Sequence, residues 1–195
     1  MESRRADIPY RNLVLVGHLG AGKSATGRAV ARRLGVTVVD IEAEIEAREG
    51  RPMQEIRALF GQARARTLET ELCRELVLRR SAVIVASGEV ALNAANLSTL
   101  TANADALCLL CALDEVLRRT HVAMGARFHE PRERARIIAR LKREWSLRAL
   151  PGIPQLDTTG LSIEQVADRA IAYWRRGVEG LRPPSRPSAL EEARS

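Results

Sequence analysis

The sequence predicts an α/β protein in which helices cover both faces of a parallel sheet. Short aliphatic runs alternate with segments of helical period along most of the 195 residues. Apolar residues make up 46% of the chain, which is enough for the core of one globular domain. Aromatic residues are only 3%, so that core must be aliphatic. Because strands that alternate with helices pair in parallel and are buried on both faces, we expect one covered sheet.

Five aliphatic runs are the candidate strands. The first, Asn12 to Val16, stops at a glycine, and the second, Val36 to Val39, ends at Asp40. The remaining three cover residues 82–86, 107–112 and 155–158. Short buried runs bounded by glycine or polar residues are typical of parallel strands, whose carboxyl ends meet at one edge of the sheet.

Helical spacing accounts for most of the intervening sequence. In residues 23–34, Gly27, Val30, Ala31 and Leu34 share one helix face, and the next residue is a glycine that can end the helix. The other predicted helices cover residues 42–48, 53–59, 62–79, 114–120, 131–148 and 163–175.

The domain organisation follows from composition. Residues 1–10 form a polar lead-in, and residues 11–176 carry the alternating pattern of a single domain. Residues 177–195 are rich in Pro, Ser and charge, which predicts a flexible C-terminal tail.

Charge and cysteine content exclude several classes of protein. The net charge of +7 comes from arginines scattered among acidic residues, which is typical of solvated helix surfaces and also suits an anionic substrate. No segment resembles a signal peptide or a membrane span. Cys73, Cys108 and Cys111 are too few for a secreted disulfide framework, and we interpret the CxxC spacing in a strand as core thiols instead of a redox or metal pair. We therefore expect a cytoplasmic monomer without nucleic-acid or membrane partners.

A phosphate-binding loop follows the first predicted strand. Residues 17–24 satisfy the pattern GxxxxGK[ST], in which glycines let backbone N–H groups converge on phosphate oxygens. Lys23 can reach the β and γ phosphates, and the Ser24 hydroxyl can bind Mg²⁺. The alternative is a purely structural glycine turn. We assign nucleotide binding to Gly17, Gly20, Ala21, Gly22, Lys23, Ser24 and Ala25.

Asp40 ends the second predicted strand and is the candidate metal residue beside this loop. A carboxylate at the carboxyl edge of a parallel sheet can hold Mg²⁺, usually through water. The alternative is that Asp40 only caps the following helix. Next to a phosphate-binding loop we favour the metal role, shared with Ser24.

The run GHLGAGKSATGRAVARRLGVTVVDIEAEIEAREGRPMQEIRALFGQARARTLETE resembles the shikimate kinase family. The match comprises the phosphate loop, a strand ending in Asp and the patterns I-E-x-R-x-G and E-I-x-x-x-x-G, and it continues more weakly to about residue 175. The resemblance implies a P-loop kinase fold with a five-stranded parallel sheet and a mobile lid. It also implies ATP with Mg²⁺ as cofactors and transfer of a phosphoryl group to the 3-hydroxyl of shikimate.

The resemblance assigns roles to further residues. Arg119 matches a lid arginine that lies against adenine, and Lys23, Ser24 and Asp40 match the nucleotide and metal residues. Arg66 matches the arginine that grips the shikimate carboxylate.

Two more residues complete the acceptor assignments. Glu69 supports Arg66, and Arg143 is a second carboxylate-binding arginine. Without the resemblance, Arg66 and Glu69 would be interpreted as an ion pair on a helix surface.

The sequence departs from the family in the acceptor half and the lid. Glu42 stands where the family has Asp, so the side chain that orients the acceptor hydroxyl is one methylene longer. The family has three consecutive glycines where this chain has Ser87, Gly88 and Glu89. Only the middle glycine is retained, and we assign Gly88 to the wall that approaches the substrate. Arg127 lies about one position from the lid arginine of the family and can act as a cation on the transferring phosphate.

The leading hypothesis is a small-molecule kinase in which Lys23, Glu42 and Arg127 are catalytic. Two alternatives remain at this point. Ser87 and Glu89 reshape the pocket, so the acceptor could be another hydroxylated acid. The fold could also belong to a regulatory module that binds nucleotide or ligand with little turnover.

Overall fold

A computed structural model describes residues 8–176 of the protein, with the side chain of Arg127 excepted. The lead-in is therefore described only from residue 8, and the predicted tail 177–195 lies outside the described residues. The sheet has five parallel strands in the order β2-β3-β1-β4-β5. They are β1 (Asn12–Gly17), β2 (Val38–Asp40), β3 (Val83–Val85), β4 (Ala104–Leu110) and β5 (Gln155–Asp157). The predicted five-stranded parallel sheet is confirmed.

Eight α-helices connect or follow these strands within residues 8–176. They are α1 (Lys23–Leu34), α2 (Ile41–Glu49), α3 (Met53–Leu76), α4 (Gly88–Leu92), α5 (Ala94–Thr101), α6 (Leu113–Met124), α7 (Pro131–Glu144) and α8 (Ile163–Arg176). The predicted helices 53–59 and 62–79 form the two parts of α3, which bends at Gly61 with φ 82° and ψ 166°.

Two short helices, α4 and α5, were absent from the sequence prediction. Each begins at a side chain that caps its first turn. The Ser87 hydroxyl accepts from Val90 N–H, and the Asn93 side chain accepts from the N–H groups of Ala95 and Asn96. Such caps stabilise helices that are too short to show a helical period in sequence.

The predicted helix 131–148 is also shorter than expected. It ends at Glu144 and tightens into a 3-10 helix, Trp145–Ala149. The next residues are Leu150 and Pro151, and a residue before proline is disfavoured in helical conformation.

The core lies on both faces of the sheet because alternate side chains of β1 point in opposite directions. Val14 and Val16 pack with α2, α3 and α5, whereas Leu13 and Leu15 pack with α1 and α8. On the second face, Trp174 of α8 is 2% exposed, and its indole N–H donates to Arg11 O at 3.0 Å.

The three cysteines are buried free thiols, as predicted. Burial raises the pKa of Cys73 to about 12 and that of Cys108 to about 11. They are core residues with little thiolate character. In the described range, no helix combines the length and the apolar character needed to cross a membrane.

Gly27 sets the distance between α1 and the sheet. A Cβ at this position would lie 2.7 Å from Val85 Cγ2 and 3.4 Å from Val38 Cγ2. The close approach brings the first turn of α1 and the carboxyl ends of β2 and β3 to the same edge of the protein.

We predict that Gly27→Ala lowers the free energy of unfolding by about 1–3 kcal/mol, because overpacking outweighs the better helix propensity of alanine. Val85→Ala removes the clashing methyl group, so the double variant should lose less than the sum of the two single variants. Denaturant unfolding arranged as a double-mutant cycle measures this coupling. Strictly additive losses would contradict the packing explanation.

Candidate active site

The loop between β1 and α1 is shaped for phosphate by its glycines. Gly20 and Gly22 have φ of 77° and 89°, which side chains other than glycine rarely adopt. At Gly17 a Cβ would lie 2.1 Å from Leu109 O, so β1 leaves the sheet in close contact with β4. The N-cap of α1 is Gly22, and no side chain caps the helix. The N–H groups of its first turn are thus available to an anion.

Lys23, Ser24 and Asp40 lie together beside this loop. Lys23 Nζ donates to His18 O at 2.9 Å, which holds the ammonium group over the loop. Burial lowers the pKa of Lys23, with the nearby Glu144 carboxylate acting in the opposite direction. The Ser24 hydroxyl donates to Asp40 Oδ2 at 2.6 Å. A hydroxyl and a carboxylate at this distance form the kind of oxygen pair that suits Mg²⁺.

His18 fixes the loop from beneath, a role that nothing in the sequence indicated. Its side chain is fully buried, and Nε2 accepts from Cys111 N–H at 3.0 Å. The proton therefore lies on Nδ1, which donates to Leu19 O at 2.8 Å. Burial lowers the pKa of His18, which favours the neutral ring. The ring stacks on Trp145 at 5.4 Å between centroids, so the loop also rests on the segment after α7.

Arg119, predicted to contact the nucleotide, lies against the same loop. Its guanidinium donates to Thr158 O at 2.9 Å and to Gly20 O at 3.3 Å. Glu115, one turn earlier in α6, accepts from Arg119 Nε at 2.7 Å. These contacts hold the arginine beside the phosphate loop, and its role towards adenine stays a prediction.

A network of ion pairs surrounds Glu42, the residue predicted to orient the acceptor hydroxyl. Glu42, at the start of α2, accepts from Arg140 Nη2 at 3.1 Å. Arg57 of α3 donates to Glu69 at 3.1 Å, forms an ion pair with Glu89 at 2.8 Å and lies 3.9 Å from Glu42. Side chains from α2, α3, α4 and α7 thus converge here, although sequence reasoning missed Arg57 and Arg140.

Glu144 connects this network to the phosphate loop. Its carboxylate is fully buried, where it accepts from Leu19 N–H at 2.6 Å and from Arg140 Nε at 2.8 Å. A Cβ at Gly88 would lie 2.5 Å from Glu144 Cγ and Cδ, so this glycine is needed to make room for the carboxylate. Glu144 was missed because its i, i+4, i+7 spacing with Ile137 and Leu141, which marks the buried face of α7, includes a charged residue.

Arg66 and Glu69 have separate surroundings. Arg66 is exposed and, among the described residues, makes no hydrogen bond or ion pair. Glu69 is 3% exposed and pairs with Arg57 instead. Burial raises the pKa of Glu69, and the Arg57 charge opposes that shift. The surface pair offered as an alternative for Arg66 is thus not formed, and its carboxylate-binding role stays a prediction.

Arg143 and Arg127 are the remaining residues predicted for the acceptor site and the lid. Arg143 is 57% exposed and donates to Glu89 at 2.8 Å. The 3-10 helix Gly125–His129 connects α6 to α7 and includes the backbone of Arg127, whose side chain lies outside the description. The roles of Arg127 and Arg143 and the mobility of the lid stay predictions.

A phosphate loop after the central strand of a five-stranded parallel sheet, with a network of ion-paired side chains beside it, is the arrangement of a P-loop kinase. The sequence model of the family described as "Shikimate kinase" matches residues 19–172. The shikimate kinase of Thermodesulfovibrio yellowstonii is 30% identical over 169 residues, which are 85% of this chain and 96% of that one. The shikimate kinase of Geobacter metallireducens is 30% identical over 168 residues, covering 86% and 94%.

A solved structure gives the same result. Shikimate kinase from Acinetobacter baumannii in complex with shikimate superposes with a TM-score of 0.72 at 26% identity, covering 85% of this chain and 93% of that chain. The chain belongs to the shikimate kinase family and is a phosphotransferase. The predicted fold and family are confirmed.

We predict that Glu144→Ala lowers the free energy of unfolding by about 3 kcal/mol, because it leaves Leu19 N–H without its acceptor and removes one partner of Arg140. Glu144→Gln should cost less, since an amide oxygen can still accept from Leu19. Glu133→Ala is the control on the same helix, because Glu133 forms an i,i+3 pair with Arg136. That change should cost less than about 1 kcal/mol. Urea denaturation compares the variants, and equal losses at positions 144 and 133 would contradict the prediction.

Proposed function

We propose that the protein uses ATP and Mg²⁺ to phosphorylate shikimate at its 3-hydroxyl. The observation that carries this proposal is the buried Glu144 carboxylate, which joins the phosphate loop to an arginine-rich pocket at the same sheet edge. Family membership supports the reaction class, and the Acinetobacter relative is known in complex with shikimate.

On the nucleotide side, Lys23 and the first turn of α1 would hold the β and γ phosphates. Ser24 and Asp40, already 2.6 Å apart, would hold Mg²⁺. The bound ion would supply charge neutralisation on the transferring phosphoryl group. Arg119, fixed by Thr158 and Gly20, would lie beside the nucleotide base.

On the acceptor side, Glu42 would orient the hydroxyl that attacks the phosphorus. Its carboxylate is held by Arg140, which Glu144 holds in turn. This support compensates for the extra methylene of glutamate, because a fixed carboxylate keeps the geometry on which phosphoryl transfer depends. Arg66 and Arg143 would bind the acceptor carboxylate, and Arg127 would complete the charge stabilisation from the lid.

One observation favours a kinase for another hydroxylated acid as the second candidate. Glu89 pairs with Arg143, which the family resemblance assigns to the acceptor carboxylate. An ADP-release assay across a panel of hydroxy acids that includes shikimate separates the two candidates. The same assay separates both from a binding module, which would release no ADP above background.

We also propose that the enzyme acts as a monomer in the cytoplasm. The three buried thiols suit a reducing compartment.

We predict that ATP with Mg²⁺ raises the melting temperature, since ligand at about 100 times its dissociation constant adds about 2.7 kcal/mol to the stability of a protein that binds it only when folded. Lys23→Ala should lose most of this gain. Lys142→Ala is the matched control, because Lys142 is the only other lysine in the chain and is exposed on α7. Equal thermal shifts in all three proteins would reject the phosphate-loop assignment.

We predict that the wild-type enzyme releases ADP with shikimate and that Arg66→Ala raises the Michaelis constant for shikimate about 10- to 100-fold, the effect of a lost charge-assisted hydrogen bond. The Michaelis constant for ATP should change little. Arg64→Ala is the control on the same helix, since Arg64 is exposed and pairs with Glu49. NMR of the product identifies the phosphorylated hydroxyl. An unchanged Michaelis constant for shikimate in Arg66→Ala would contradict a carboxylate-binding role for Arg66.

A further inference from the structure

The carboxylate of Glu89 lies between two arginines. Its Oε2 forms an ion pair with Arg57 Nη2 at 2.8 Å, and its Oε1 accepts a hydrogen bond from Arg143 Nη2, also at 2.8 Å. Burial alone would raise the pKa of Glu89, but the hydrogen bond from Arg143 and the charge of Arg57 outweigh burial and lower it. Glu89 therefore keeps its charge and fills the position between the two guanidinium groups.

This arrangement has the chemistry of a carboxylate-binding site. Guanidinium groups that converge on the two oxygens of one carboxylate are a common means of recognising a carboxylate ligand. Arg57 is fixed for such a role, because the buried Glu69 accepts from it at 3.1 Å. Its Nε is buried and, among the described residues, has no hydrogen-bond partner. Arg57 thus keeps one donor that Glu89 and Glu69 do not use.

The pair of arginines also faces the proposed reaction site. Glu89 follows Gly88, which packs against Glu144 below the phosphate loop. Arg57 lies 3.9 Å from Glu42, the residue proposed to orient the acceptor hydroxyl. A carboxylate bound between Arg57 and Arg143 would therefore belong to a molecule that reaches Glu42.

We propose that Glu89 is an internal competitor for the carboxylate of the acceptor. On binding, the acceptor displaces it from Arg143, which is proposed above to hold that carboxylate with Arg66, and from the neighbouring Arg57. The proposal rests on the proposed function in one respect, namely that the acceptor is a carboxylic acid. The Glu89 side chain is 16% exposed and can rotate towards solvent once its partners bind another anion. Glu89 then sets both the affinity for the acceptor and the preference for a carboxylate over a neutral analogue.

The test compares Glu89→Gln with the wild type, using shikimate and its methyl ester as ligands. Calorimetry without nucleotide measures binding, and ADP release measures the Michaelis constants. Glu89→Gln should tighten shikimate binding about 10-fold or more, because it removes a charged competitor for a charge-assisted hydrogen bond from Arg143 and an ion pair with Arg57. Binding of the methyl ester, which lacks the negative charge, should change little, and so should the Michaelis constant for ATP.

Two further variants control the measurement. Glu164→Gln removes a carboxylate that also pairs with two arginines, Arg32 and Arg33, on the surface formed by α1 and α8. It should leave shikimate binding unchanged. Glu89→Asp keeps the charge but shortens the reach between the arginines. It should tighten shikimate binding to a smaller extent, and it provides the test if melting curves show that Glu89→Gln does not fold.

The outcomes separate this proposal from the proposed function. Weaker or unchanged shikimate binding in Glu89→Gln overturns the competitor role, as does an equal gain for shikimate and its ester. If the wild type turns over shikimate while the variant binds it no better, only the competitor role fails. If the wild type shows no turnover while the variant gains selective shikimate binding, the proposed function fails and the competitor role stands. Absence of shikimate binding in both proteins overturns both.

Discussion

The buried carboxylate of Glu144 is the interaction on which the two halves of the site depend. A carboxylate without exposure to water is costly unless its oxygens accept strong hydrogen bonds, and here they accept from Leu19 N–H of the phosphate loop and from Arg140. These bonds fix α7 against the loop. They also require a glycine at position 88, because any Cβ would overlap Glu144. The Glu144 side chain therefore fixes the phosphate loop, α7 and the backbone at Gly88 relative to one another.

Starting from Glu144, acidic and basic side chains alternate across the proposed acceptor site. Arg140 connects Glu144 to Glu42, and Arg57 follows it on the far side of Glu42. In such a chain each charged group is held by neighbours of opposite sign, so few of them are free to meet a ligand. If Glu42 orients the acceptor hydroxyl as proposed, its ion pair with Arg140 restricts the longer side chain and helps to keep its alignment.

The sequence predicted the parts of the structure whose physical cause is local. Short aliphatic runs predicted the parallel sheet, and the phosphate loop was evident because backbone conformations of consecutive residues form it. Asp40 was found because its strand ends there. Glu144 and Leu19 lie 125 positions apart, and no sequence period marks a bond between them. Arg57 and Arg140 each resemble, in sequence, the many arginines that pair with glutamates on helix surfaces, so only the tertiary fold identifies them as lining the pocket.

The proposed nucleotide and acceptor parts of the site differ in how easily a substitution would change their specificity. Phosphate recognition is built mainly from backbone groups, and a side-chain substitution elsewhere leaves those groups in place. The proposed acceptor site is formed by long side chains of α2, α3, α4 and α7, so one substitution can change its charge without moving the sheet. Position 89 is of this kind, because its side chain is partly exposed and forms ion pairs with Arg57 and Arg143. Position 144 is not, because the carboxylate there also holds the phosphate loop. Changes in the acceptor are thus compatible with an intact nucleotide half as long as the bond between Glu144 and Leu19 is kept.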